Sequence, residues 1–148
     1  MAYEFRLLRR VEFADTDTAG VVHFSAFFRY MEEAEHAFYR SLGGSAYVWT
    51  PDRVEGMPRV SAHCEYRQPL HYAEEVEVHL TVLDKTSRSL RYEATFSRLD
   101  GSTAVEVARG GMTVVFASRT HGARDWAGTT LPAELAGQIE VAPAARES

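Results

Sequence analysis

The sequence predicts an α+β domain in which one curved antiparallel sheet of about five strands wraps a single long helix. Three observations point there. A period-two segment opens the chain, a long 3.6-period segment follows it, and four further alternating segments come after that.

The first strand falls within residues 3–13, where Tyr3, Phe5, Leu7, Val11 and Phe13 share one face and Leu8 and Arg9 break the alternation. Residues 14–20, rich in Asp, Thr and Gly, have loop chemistry, because short oxygen-bearing side chains compete for backbone hydrogen bonds and glycine admits positive φ. In residues 25–42, Phe27, Met31, Ala34, Phe38 and Leu42 recur at helical spacing. Ser25 is the expected N-cap and Gly43-Gly44 the stop. Such a helix is about 27 Å long, a length a curved sheet can wrap.

Residues 43–58 show no sustained period and read as a loop over the core. Tyr47, Trp49 and Met57 there suit either a ligand pocket or packing against the helix. Val60, Ala62, Cys64 and Tyr66 then alternate with polar residues, as do Val76, Val78, Leu80 and Val82, and Leu90, Tyr92, Ala94 and Phe96. Turns are expected at residues 69–74 and 84–87 and at Asp100-Gly101. In the last strand, residues 103–116, the apolar register changes between Val107 and Met112, and a bulge at Gly110-Gly111 would restore it. Residues 1–117 form the domain, and 118–148 an extension with a short helix at 132–139 and a disordered-looking end at 142–148.

At 148 residues with 45% hydrophobic composition, one soluble domain can bury its own core. A net charge of −5 argues against a general nucleic-acid binder, which needs a basic surface. One cysteine, Cys64, excludes a disulfide framework and suits a reducing cytoplasm, and its place on an apolar strand face makes it a small buried hydrophobe. No apolar run has the length of a signal peptide or a membrane span, so no membrane partner is expected. His63, His71 and His79 lack ligand-like spacing, and no metal or cofactor is expected. Exposed sheet edges invite a second copy, giving a homodimer or a homotetramer built as a dimer of dimers.

The junction of loop and helix is where chemistry is expected, because unpaired N–H groups and the helix dipole favour a developing negative charge. An Asp-rich turn is ordinarily only a turn and a cap, but the string DTDTAGVVHFSAFFRYMEEAEHAFYRSLG resembles the hotdog-fold acyl-CoA thioesterases of the 4-hydroxybenzoyl-CoA thioesterase and YbgC-like branch. The segment CEYRQPLHYAEEVEV and the hairpin DKTSRSLRY extend the likeness from about Tyr3 to Phe116. The resemblance implies a hotdog fold and an acyl-CoA substrate. It also implies Asp17 as the catalytic carboxylate, the Phe24 N–H as oxyanion donor, Gly20 as the point of close substrate approach, and a side-chain role for His23. Lys85, Ser87 and Arg88 would meet the nucleotide phosphates.

Asp17 could attack the thioester directly or act as general base on water. Asp15 reads as a loop-stabilising residue, and Glu32, Glu33 and Glu35 as an exposed charged helix face. Rival readings are an acyl carrier protein thioesterase and a non-catalytic acyl-CoA binding module. An enoyl-CoA hydratase fits less well, since no paired Asp and His motif of that kind is present.

Overall fold

The computed structural model describes residues 1–143; the end of the expected tail, residues 144–148, lies outside the described residues. In chain order the elements are β1 (Glu4–Arg10), a 3-10 turn (Phe13–Asp15), α1 (Ala26–Ser41), β2 (Val48–Trp49), β3 (Arg53–Gly56) and β4 (Arg59–Tyr66). There follow β5 (Glu75–Lys85), β6 (Ser89–Asp100), β7 (Thr103–Val115), β8 (Ala117–Thr120), β9 (Ala127–Gly128) and α2 (Ala133–Ala136). The main sheet has the expected five strands, ordered β1-β5-β6-β7-β4, all antiparallel.

Helix α1 lies on this sheet, burying Phe27, Tyr30, Met31, Ala34, Phe38 and Tyr39 against the inward side chains of β5 and β6. Those are the residues read from the alternation: Val76, Val78, Leu80, Val82, Leu90, Tyr92, Ala94 and Phe96 are all buried. Phe27 makes edge-to-face contacts with Phe96 at 5.2 Å and Tyr66 at 5.1 Å, a favoured arrangement of aromatic quadrupoles.

Several local expectations are corrected. The first strand stops at Arg10, and Phe13 is exposed in the 3-10 turn. Arg9 does not break the alternation: it holds an inward position, with its Nε donating to Glu33 at 2.5 Å and its guanidinium 4.7 Å above the Tyr30 ring. Glu35 is no part of an exposed charged face, since it is fully buried and accepts from Arg59 Nη2 at 2.5 Å and the Tyr39 hydroxyl at 3.2 Å. The Tyr39 hydroxyl is also bonded to that of Tyr92. Ser25 precedes the helix but its side chain makes no cap bond.

The expected loop at 43–58 contains β2 and β3, which pair with β8 and β9 in a second, four-stranded sheet. Met57 enters the core, whereas Tyr47 and Trp49 are exposed. The β7 irregularity lies at Val107, where Phe96 pairs with Ala108 and Ser97 with Glu106, and not at Gly110-Gly111. Those glycines serve close packing instead: a Cβ on Gly110 would lie 2.3 Å from the His63 carbonyl oxygen, and one on Gly111 2.6 Å from that of Tyr92.

The four later strands do not form a simple meander. The segment after β4 runs past the loop before α1, with Leu70 buried and its carbonyl accepting the Val22 N–H at 2.8 Å, and β4 is left beside β7 at the sheet edge. Along β4, Val60, Ala62 and Tyr66 are exposed and Cys64 is half-buried, so its expected apolar face is open in the single chain. Residues after 117 pack into the same core through Leu131, Leu135 and Ile139, and Ala142 is held by an N–H bond to the Val82 carbonyl at 2.9 Å.

Candidate active site

The loop before α1 is closed by its own main chain. The His23 N–H donates to the Asp15 carbonyl at 2.8 Å, and Thr16 and Val22 form a bridge. Within it the Asp17 N–H reaches the Val21 carbonyl at 2.8 Å and the Gly20 N–H the Asp17 carbonyl at 3.0 Å. The turn needs positive φ at Gly20, +80°, which a Cβ would strain.

Asp15 and Asp17 end in opposite surroundings. Asp15 is 3% exposed: its Oδ2 accepts the Glu12 N–H at 2.9 Å, its Oδ1 accepts Arg29 Nη2 at 2.6 Å, and Arg9 Nη2 stands 3.6 Å away. Burial acts to raise its pKa, but the Glu12 N–H, Tyr30, Arg29 and Arg9 together outweigh it and hold the carboxyl below its ordinary value. Asp17 is exposed, and its Oδ1 accepts the Ala19 N–H at 2.8 Å, an Asx turn. Its Oδ2 accepts from no group among the described residues.

Phe24 directly precedes the helix. Among the described residues no group accepts its N–H, although the neighbouring His23, Ser25 and Ala26 N–H groups are all bonded. The Phe24 carbonyl accepts the Tyr66 hydroxyl at 2.8 Å, which ties this residue to the end of β4. His23 is bonded to the residue before the helix: its Nδ1 accepts the Ser25 N–H at 3.2 Å and lies 2.7 Å from Ser25 Oγ, while its ring stacks on Phe24 at 4.5 Å.

Asp17, Val21, Val22, Phe24 and Phe27 line one side of a cleft of about 380 Å³, and Tyr66, Arg67, Gln68, Pro69 and Leu70 line the other. The second wall was not singled out by sequence reasoning. Its shape comes from the β7 bulge, since the Arg67 and Gln68 N–H groups both donate to the Val107 carbonyl, at 2.8 and 3.1 Å. The signal that existed was an aromatic at a strand end followed by Arg-Gln-Pro, which spacing alone does not tie to a distant loop.

Lys85, Ser87 and Arg88 are not brought to Asp17 in one chain. Lys85 Nζ donates to the Ala136 and Ile139 carbonyls at 2.5 and 2.7 Å, and the Ser87 carbonyl accepts the Leu131 N–H at 2.9 Å. Arg88 lines a separate cleft of about 490 Å³ with Phe116 and Trp126. Ser89 pairs with Val115 and Arg59 with Val114, so this turn sits at the Arg59 end of β4, seven strand rises or roughly 23 Å from Tyr66.

The other singled-out residues are placed as follows. His71 and His79 pair with Glu74 and Glu4, at 3.0 and 3.1 Å. Burial pushes the Cys64 thiol up to about 11, away from nucleophilic use. No group of three His, Cys, Asp or Glu side chains among the described residues has the geometry to hold a metal. None of the described helices is long and apolar enough to cross a membrane.

A five-stranded antiparallel sheet curled on one central helix defines the hotdog class, and a gentisyl-coenzyme A thioesterase has that structure. It superposes with a TM-score of 0.71 over 88% of this chain and 98% of its own, at 25% identity. The chain belongs to the thioesterase-like superfamily, whose sequence model matches residues 11–139, and it is thereby a thioester hydrolase. A "Putative esterase" of Aquifex aeolicus is 41% identical over 103 residues, covering 68% of this chain and 75% of that one. A 1,4-dihydroxy-2-naphthoyl-CoA hydrolase of Crocosphaera subtropica is 30% identical over 87 residues, 57% of this chain and 64% of the relative.

Proposed function

We propose that this chain hydrolyses an acyl- or aroyl-CoA thioester to the free acid and CoA, with Asp17 as nucleophile or general base and the Phe24 N–H as donor to the carbonyl oxygen. One observation carries the reading. A single cleft is lined by an exposed carboxylate with an oxygen uncommitted among the described residues and by Phe24, whose main-chain N–H has no acceptor among them. Thioester cleavage needs an oxygen nucleophile or an activated water, and a donor for the oxyanion that forms; a preorganised donor of this kind is worth on the order of 2.7–4 kcal/mol. The CoA thiolate leaves readily without a strong general acid.

The aromatic wall of Phe24, Phe27 and Tyr66 favours an aroyl group, and the named substrates of the gentisyl-CoA and dihydroxynaphthoyl-CoA relatives support that preference. The working unit is a homodimer or a dimer of dimers. Its support is the open edge of β4: two copies paired antiparallel there would carry Arg88 of the partner subunit toward Asp17. Arg88 is then the contact for the CoA phosphates, while Lys85 is already engaged by carbonyl oxygens.

Thiol release from a panel of aroyl-, short-chain and long-chain acyl-CoA esters, run beside the same acyl groups on acyl carrier protein, tests the proposal. Aroyl-CoA esters are expected to turn over fastest. Tight retention of acyl-CoA with no thiol released would favour a binding module instead.

A further inference from the structure

We infer that Asp15 is a positioning residue: its ion pair with Arg29, in the first turn of α1, sets the spacing between the Asp17 carboxylate and the Phe24 N–H. The inference rests on the thioesterase reading of that cleft and deepens it. Asp15 and His23 are the two stems of the loop, joined by the His23 N–H to Asp15 carbonyl bond at 2.8 Å. Asp17 lies two residues inside one stem, and the Phe24 N–H lies one residue beyond the other.

The Asp15 side chain does not line the cleft, yet it is buried and charged, an arrangement that costs free energy unless its bonds are well made. Those bonds run to three separate places: the Glu12 N–H on its own turn, Arg29 on α1, and Arg9 on β1. Arg9 is itself fixed to Glu33 of α1 at 2.5 Å. Arg29 is about half-exposed, so solvent screens its side of the pair. What a carboxylate reaching strand, loop and helix does is hold the loop at one height over the helix start. An amide at position 15 keeps an acceptor for the Glu12 N–H but loses its charge for both arginines, and the loop shifts.

The test compares wild type with Asp15→Asn, Arg29→Ala, Arg29→Lys and the Asp15→Asn/Arg29→Ala double variant in steady-state hydrolysis of an aroyl-CoA ester, with thermal melts of each. Misplacement by about 1 Å costs roughly 100-fold, so kcat should fall by that order in Asp15→Asn while KM changes little. Arg29→Ala should fall in the same way, Arg29→Lys should recover part, and the double variant should be no worse than the poorer single, because the spacing is lost once. The acid limb of the pH–rate profile should stay where wild type has it, since the substituted side chain lies outside the cleft. Should Asp15→Asn fail to fold, Arg29→Ala, altered at a half-exposed guanidinium, carries the test alone. A folded Asp15→Asn enzyme with wild-type kcat, an acid limb moved by that change, or a fully active Arg29→Ala would overturn the inference while leaving the thioesterase reading standing. A wild type that hydrolyses no ester of the panel would remove both.

Discussion

Asp15 and Asp17 carry the same functional group two positions apart, and the fold separates them by giving one all its partners and the other almost none. The Asp-rich turn was legible as a place for chemistry, and the family resemblance singled out Asp17. The clamp around Asp15 was not legible, because Arg9 and Arg29 reach it from β1 and α1. Glu35 was misread for a related reason: a charged residue on a helix is ordinarily exposed, and only the strand that delivers Arg59 lets this one be buried. Burial, partly offset by Arg59, raises the Glu35 carboxyl from 4.5 to about 7. The sign follows from proton uptake. Between those values the folded state holds a proton that the unfolded chain has released, so the contribution is present below 4.5 and is lost as pH rises through about 7. Asp15 acts oppositely, stabilising above its ordinary value and losing that contribution as pH falls through its lowered one. Glu35→Gln should therefore melt higher than wild type at pH 8, by up to about 3 kcal/mol in stability, and match it near pH 4.5; thermal melts across that range check it. Oxygen-18 water in a single turnover tests for attack by Asp17: unlabelled acid with the label in the Asp17 carboxylate requires a mixed anhydride opened by water at the aspartyl carbon, a pattern that direct attack by an activated water does not give.

The faces of the long periodic elements packed at the centre of the sheet were legible, and the two-residue strands were not. The buried faces of α1, β5 and β6 follow the sequence alternation residue by residue. Strands of two residues, such as β2 and β9, carry no period, and the second sheet therefore looked like loop. The apolar register changes between Val107 and Met112, which points to a bulge at Gly110-Gly111, whereas the work of those glycines is to let β4 and β6 approach β7. Gly110→Ala should destabilise by about 1–3 kcal/mol, because the clash is with backbone. Phe38→Ala in α1 should cost about 3–5 kcal/mol by emptying a fully buried site. Chemical denaturation measures both.

At the scale of the whole molecule, strand order was the feature least visible in the chain. Hairpin turns announce adjacency, but the crossover after β4 is local chain with a non-local destination, anchored by the buried Leu70, whose carbonyl accepts the Val22 N–H. That crossing leaves β4 with an unpaired edge, and an open strand edge with exposed Val60 and Ala62 is a template for a second copy. Sedimentation equilibrium should give a mass at least twice the 16.6 kDa of one chain. Ala62→Pro, which removes an edge N–H, should shift the protein toward monomer and lower activity together.

Asp17 and the Phe24 N–H, which line one cleft, are proposed to act together on a CoA thioester. Thiol release from an aroyl-CoA ester by wild type and by folded Asp17→Asn tests it most directly. Wild type should turn over, and kcat should be lower by at least about 100-fold in the variant, with a wild-type melting curve. Equal turnover by the two proteins would contradict it.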